Sequence, residues 1–394
     1  MPKDNSTFFQ QKNDWSRIKD ELLRCYLKPY FTKVLRTQRP ILYVDCFAGK
    51  GRFDDGSDGS PLIAIKIREE VAAGSKAIES CFIDLYHAED LKANLLPYKQ
   101  QGVPVGISDG RFEDIIQGLL EKRRNYNVFL YIDPYGIKAL DFNLFSAFAQ
   151  IGSIEMLINM NSFGFIRSAC SAMKTTRAFE LDESLDDLVE YDTTQDHSIE
   201  NLNGIAGGTY WQAIINDYNS KIIDGYEAKQ RFSVAYKAQL RTKFSYVLDM
   251  PIRLKSGHRP KYRMVHVSNH EDGCYLMAEN MLKRTDELLD MQLGGQLLLP
   301  GFGNEPDYSV VPQKILTCLD SALTGIGLTQ LIAMLFTEHG LHWKIDGLRD
   351  VLRQMEQEDI IAIERTPPLT KAGKKASFMT ETKGQTVIVR RNSP

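Results

Sequence analysis

Ile41-Leu42-Tyr43-Val44-Asp45-Cys46-Phe47-Ala48-Gly49-Lys50-Gly51-Arg52 is the stretch on which the fold turns. Its first five residues read as a strand buried on both faces that ends in an acid at a sheet rim. Gly49 and Gly51 follow, in a turn where a side chain would collide with a closely approaching ligand. Alone, a strand feeding a glycine turn separates no cofactor from another, nor from a plain tight turn.

Outward from this stretch, Cys81–Asp84, Val103–Ile107, Val128–Asp133 and Ile154–Met160 read as four more strands. Helices are predicted between them at 61–72, 86–99, 111–124 and 139–150. Such alternation implies an α/β fold, a doubly wound, mostly parallel sheet covered on both faces. Tyr246–Ile252 and Tyr262–Ser268 flank a polar loop and form a hairpin. An opening helix is predicted over 14–37, interrupted or kinked at Lys28-Pro29. Residues 161–245 read as helices inserted over one end of the sheet. The expected division is a helical segment 1–39, a sheet domain 40–290 and a glycine- and proline-rich linker 291–310. A last domain, 311–394, has helices at 312–321, 328–338 and 344–358, then strands Ile360–Glu364 and Thr386–Arg391 around a basic loop. That is a winged helix–turn–helix pattern.

Asp45, Asp84, Asp109 and Asp133 each fall at or just past the end of successive strands. In a parallel sheet these ends open on one rim. Four carboxylates suit a ligand rich in donors, with an ammonium, a ribose diol and an adenine amino group, and suit a pyrophosphate poorly. S-adenosylmethionine therefore fits better than a dinucleotide. The fourth strand ends Asp133-Pro134-Tyr135-Gly136. Proline restrains the residue before it, so Asp133 is held at the rim to accept from an exocyclic amine. The Pro134 carbonyl can take the second amine hydrogen, and Tyr135 offers a face on which a base stacks.

With these residues in view, the chain resembles the class I S-adenosylmethionine-dependent methyltransferases, above all those with an Asp/Asn-Pro-Pro-Tyr signature. Over residues 8–285 it looks most like the three-Cys-motif partner (TcmP) proteins. That resemblance is carried by Trp15, Lys19, Tyr26-Leu27-Lys28-Pro29, Gly59-Ser60-Pro61-Leu62-Ile63-Ala64, Ile132-Asp133-Pro134-Tyr135-Gly136 and Tyr262 through His270 with Met277 and Met281. It implies the methyltransferase fold with a seventh, antiparallel strand, and a partner that is a radical-S-adenosylmethionine-like protein with three cysteines. Asp45, Phe47, Gly49 and Gly51 then correspond to the methionine-side loop, Asp84 to the ribose acid and Asp109 to the residue beside the adenine. Asp133, Pro134 and Tyr135 correspond to the catalytic corner. Two departures stand out: the second proline of the signature is absent, and a polar insert, Phe53 through Ser60, precedes a helix whose expected cap is Ser60.

Charge is distributed in blocks. Residues 177–200 hold nine acids after Arg177, 221–263 hold eleven Lys/Arg against three acids, and 365–394 hold seven against one. Basic blocks interleaved with aromatics fit nucleic acid; solvated helix faces are the plain alternative. The expected contacts are Lys255, His258, Arg259, Lys261 and Arg263 around the hairpin. In the last domain they are Arg349 and Arg353, with Lys344 on the same helix face, and Lys371, Lys374 and Lys375. The first half of that domain, 311–364, is net acidic, which favours protein docking instead.

The chain has 394 residues, 43% of them hydrophobic and 25% charged, an ordinary globular balance. Its six cysteines include no CxxC pair, so neither a disulfide framework nor a metal cluster is expected, and a reducing, cytoplasmic setting is the default. His266 and His270 on a strand do not converge on a metal. No signal peptide or membrane span is expected. Two functions stay open: a methyltransferase acting on the amino group of a nucleic-acid base, RNA or DNA, and a catalytically silent nucleic-acid- or partner-binding subunit with that fold.

Overall fold

The computed structural model describes residues 14–134, 136–175, 198–252, 260, 262–293, 306–322 and 324–392. The chain divides into two compact units, residues 1–269 and 270–394.

In the first unit a seven-stranded sheet is assembled from β1 (Ile41–Asp45), β2 (Ile78–Asp84), β3 (Val105–Asp109), β4 (Asn127–Ile132), β5 (Ile154–Met160), β6 (Tyr246–Ile252) and β7 (Tyr262–Ser268). Its order is β3-β2-β1-β4-β5-β7-β6. β1 to β5 run parallel, and β7 is antiparallel to both β5 and β6. β1, β4 and most of β5 are buried along their length, as strands covered on both faces must be. The order reverses at β1, whose neighbours β2 and β4 lead away in opposite directions. That places a topological switch point, where open α/β sheets leave a crevice, at the end of the quoted strand.

The opening helix α1 (Asp14–Val34) repeats Ile18, Leu22, Leu23, Tyr26, Leu27, Tyr30 and Phe31 on one buried stripe. It runs through Pro29 as one helix, so the interruption expected there does not occur. Tyr26 and Tyr30 pack on Phe129 of β4, and Phe31 meets Tyr43 of β1 edge-on. This aromatic layer, with α2 (Ser60–Ala72), covers one face of the sheet near its centre. α3 (Ala88–Gln100) packs on β3. The opposite face carries α4 (Phe112–Glu121) and α5 (Phe142–Phe148). It also carries α6 (Ser162–Ala172), α7 (Ile199–Ala206), α8 (Tyr210–Asn219) and α9 (Gly225–Arg241). Phe165, Leu202, Trp211 and Phe232, one from each of these last four, share one core with Val247 and Val265. The inserted helices thus build a layer over the β5-β7-β6 end of the sheet.

The second unit begins with α10 (Glu271–Leu293), which packs against α12 (Leu328–His339). The division therefore falls before α10 and not after residue 290, because that helix buries its side chains in the later unit. α11 (Val311–Asp320), β8 (Ile326–Gly327), α12 and α13 (Ile345–Gln357) are followed by β9 (Ile361–Thr366) and β10 (Thr386–Arg391). The three strands form an antiparallel sheet in the order β8-β10-β9. Among the described residues no helix is long and apolar enough to cross a membrane.

Candidate functional site

The glycine turn takes the shape its composition requires. Gly49 and Gly51 have φ of 60° and 80°, in the left-handed region that side chains avoid. A Cβ on Gly51 would also meet Leu91 Cδ1 at 3.0 Å. The polar insert is a closed loop: the Gly59 N–H donates to the Gly51 carbonyl at 2.9 Å, and Arg52 pairs with Asp58. Gly59 is the residue that caps α2, with no side-chain cap bond, and Ser60 is already helical. The expected Ser60 cap is therefore corrected by one position.

Asp84 is the pivot of the rim. Its Oδ2 accepts from Gly49 N–H at 2.8 Å, and its Oδ1 accepts from Tyr86 and His87 N–H at 2.8 and 2.6 Å. A carboxylate offers about four lone-pair sites, so roughly one is left for a ligand hydroxyl. The expected ribose acid is thus first the clamp that joins the end of β2 to the glycine turn.

Next to it lies a cleft of about 150 Å³, bordered by Cys46, Phe47, Asp84, Leu85 and Tyr86. Gly110, Arg111, Phe112 and Glu113 form a second wall; Pro134, Gly136, Lys138 and Ala139 form the third. Of the expected site residues, Phe47, Asp84 and Pro134 border this cleft. Gly49 reaches it only through Asp84. Asp109, paired with Asp84 in register, is exposed at the sheet edge and does not border it. Tyr135 lies outside the described residues.

Asp45 and Asp133 belong to a second polar focus, under α1. Strand neighbours on a parallel sheet share a face, and the register pairs Asp45 with Tyr131. Asp133, two residues on, accepts from Lys19 Nζ at 2.5 Å and from Asn159 Nδ2 at 2.8 Å. The Tyr131 hydroxyl donates to it at 3.4 Å; burial first, and the Asp133 charge second, push that phenol well above its ordinary range. The Lys19 and Asp133 side chains are 6% and 23% exposed. Four carboxylates open on one rim was the expectation; instead, the fourth holds an ion pair with the opening helix. Asp45 is fully buried, accepts a 3.3 Å bond from Phe47 N–H at Oδ1 and has no hydrogen-bond partner at Oδ2. Burial raises its pKa to about 7; the Ser60 hydroxyl and the Phe47 N–H pull it down, and the charges of Asp133 and Asp20 push it up.

Lys19 is expected to matter for stability. Lys19→Ala leaves a mostly buried carboxylate with only neutral donors and lowers stability by about 3 kcal/mol. Chemical denaturation checks this, and a double-mutant cycle with Asp133→Ala isolates the pair. A cycle showing no coupling would mean that the contact contributes nothing.

The expected nucleic-acid contacts divide sharply. Lys255, His258, Arg259 and Lys261 lie outside the described residues. Arg263 is corrected: its side chain is 12% exposed and binds Asp249 and Gln230, so it is a structural cation at the β6–β7 edge. Lys237 of α9 binds the same Asp249, and Arg231 pairs with Asp217 and Glu227. Much of the basic block is neutralised within the fold. On α13, Arg349 donates to Asp346 and to the Tyr275 hydroxyl, both at 2.7 Å, and Arg353 binds Asp350. Lys344 binds Asp286 at 2.9 Å. The outer face of that helix therefore carries matched charges and presents no positive stripe to a duplex. Lys371, Lys374 and Lys375 do stand exposed on the loop between β9 and β10.

Sequence reading missed Arg111 and Lys138 on the cleft, and Asn159 and Tyr131 around Asp133. The signal for the first two was present, since both sit in loops just past strand ends. The role of Lys19 had no local signal. Among the described residues no group of three or more His, Cys, Asp or Glu is placed to hold a metal. Comparison of the chain with protein-family models and with curated proteins finds no match.

Proposed function

We propose that the first unit is a class I S-adenosylmethionine-dependent methyltransferase domain acting on the amino group of a nucleic-acid base, and that the second is a winged helix. The observation that carries this reading is β7, inserted antiparallel between β5 and β6. A dinucleotide-binding sheet of the order 3-2-1-4-5-6 lacks that strand, whereas the resemblance to methyltransferases implies it. The element order α11-β8-α12-α13-β9-β10, with an exposed basic loop between the last two strands, supports the winged helix.

The residues present fit the cofactor. Asp45 Oδ2, buried and unpartnered, suits an ammonium. The turn at Gly49 and Gly51 leaves backbone open to close approach, and Asp84 keeps an acceptor site for a ribose hydroxyl. When bound, S-adenosylmethionine supplies a sulfonium methyl that an amine nitrogen can take. The cleft is smaller than the ~300–1,000 Å³ of most small-molecule sites, so a whole cofactor requires the exposed Leu85 and Tyr86 to move. Pro134 borders the cleft, and its carbonyl is the acceptor assigned to orient the amine. Asp133 takes up an amine hydrogen only after exchanging its bond with Lys19. Methyl transfer to an amine needs alignment more than a strong base.

That same ion pair favours the second reading, a silent binding subunit, because the catalytic carboxylate is already occupied. One set of measurements separates the two. Calorimetry with S-adenosylmethionine and with NAD identifies the cofactor, and a labelled-methyl assay on bulk RNA and DNA, with and without the three-cysteine partner, tests transfer. Heat with S-adenosylmethionine and transfer lost in Asp133→Ala is the expected result. Heat without transfer under any condition establishes the silent subunit, and an isotherm with NAD alone overturns both.

A further inference from the structure

Arg111 and Lys138 border the cleft from different walls, one in the loop after β3 and the other in the turn after β4. Neither side chain forms an ion pair with any described residue. Across this unit many cations are paired, among them Lys19, Lys66, Arg123, Lys237 and Arg263. Glu113 on the Arg111 wall lies in the first turn of α4, where the helix dipole favours a carboxylate, and it bonds to neither cation. A cleft of about 150 Å³ brings both cations to a single occupant. The cofactor proposed above carries a sulfonium, an ammonium and one carboxylate, and its methionine end is assigned to Asp45 and the turn at Gly49 and Gly51, none of which borders this cleft. An anion of the substrate is then the partner for two cations on the other walls.

We propose that Arg111 and Lys138 together bind a phosphate of the nucleotide whose base is presented to Pro134, an assignment that rests on the nucleic-acid reading above. A guanidinium and an ammonium on opposite walls grip a phosphate from two sides, the first as a planar fork and the second as a point charge. Such contacts fix register and orientation without reading sequence. The substrate class follows: a nucleotide within a strand or a free nucleotide, and not a bare nucleoside or free base.

Fluorescence titration of the full chain with each nucleoside, its 5′- and 3′-monophosphates, inorganic phosphate and NAD tests the assignment. One of the monophosphates is expected to bind at least about ten-fold more tightly than its nucleoside, the scale of a charge-assisted hydrogen bond. The preference should vanish in Arg111→Gln/Lys138→Gln, whose sites are on the surface and whose folding is checked by thermal melting. Equal binding of nucleoside and nucleotide by the wild type overturns the proposal. So does a preference that survives in the double variant, or inorganic phosphate or NAD binding as well as the nucleotide. Calorimetry with S-adenosylmethionine on the same wild-type sample keeps the two readings apart. Its failure there sinks the methyltransferase assignment, while the phosphate preference is read from the nucleotide titrations alone.

Discussion

Asp84→Ala will be the most damaging single change at the rim, lowering stability by about 3–5 kcal/mol. Three backbone N–H groups, those of Gly49, Tyr86 and His87, lose a charged acceptor at once. Bonds to charged groups are worth ~1.5–3 kcal/mol each, and water can reach only some of the orphaned donors. The Gly49 bond is buried, so its loss is felt in full. Asp84→Asn retains one accepting oxygen and should fall between alanine and the wild type. Urea denaturation of the three proteins checks the order. If alanine and asparagine prove equal, Asp84 does not clamp the turn through its second oxygen.

Asp45 sets a pH dependence of opposite sign to that of most carboxylates. Its folded pKa is about 7, above the ordinary 3.8 of an unfolded chain, chiefly because burial disfavours the charge. Between these values the folded state binds the extra proton, so stability falls as pH rises. The stabilisation is complete below the unfolded value and is lost as pH passes through the folded one. The separation corresponds to on the order of 4 kcal/mol. Asp45→Asn removes the titration: the difference in stability between variant and wild type should grow in favour of the variant from pH 4 to pH 7, then level off. Melting curves across pH 4–8 measure it, and parallel profiles would show that Asp45 titrates normally. A cationic ligand docking on Asp45 reverses the preference, so its binding should release a proton near neutral pH.

The sheet was legible because its signals are local. Ile41–Asp45, Ile154–Met160 and both hairpin strands coincide with their expected bounds, since each is a short, mostly apolar run with few polar interruptions, bounded by polar or glycine breaks. β2 extends back to Ile78, where Glu79 and Ser80 hide the strand. β3 is shifted toward Asp109 because its residues are small and only half buried. Pro29 misled, since a tertiary layer of Tyr26, Tyr30 and Phe31 holds the helix through it. The site was legible only at the glycine turn and at the strand ends. Which acid faces a ligand and which faces a partner depends on α1, a helix 114 residues from Asp133 in sequence that no local pattern couples to it. Counting charge by segment overstated the exposed basic block for the same reason: Asp217, outside the segment, pairs with Arg231, and Asp249, already counted in it, holds Lys237 and Arg263 as structural cations.

The position of β7 also governs how the chain is made. β5 lies between β4 and β7, yet residues 161–261 must be synthesised before that second neighbour exists. At ~5–20 residues per second this is a delay of roughly 5–20 s. Throughout it one edge of a strand buried almost along its whole length has no hydrogen-bonding neighbour, an invitation to pairing with other nascent chains. Because α6 precedes α7, α8 and α9 and all four share their core with β6 and β7, the inserted layer cannot close over that half of the sheet in advance. The vectorial order of translation, and not the strength of any contact, makes the β5 edge the vulnerable point of this protein's life.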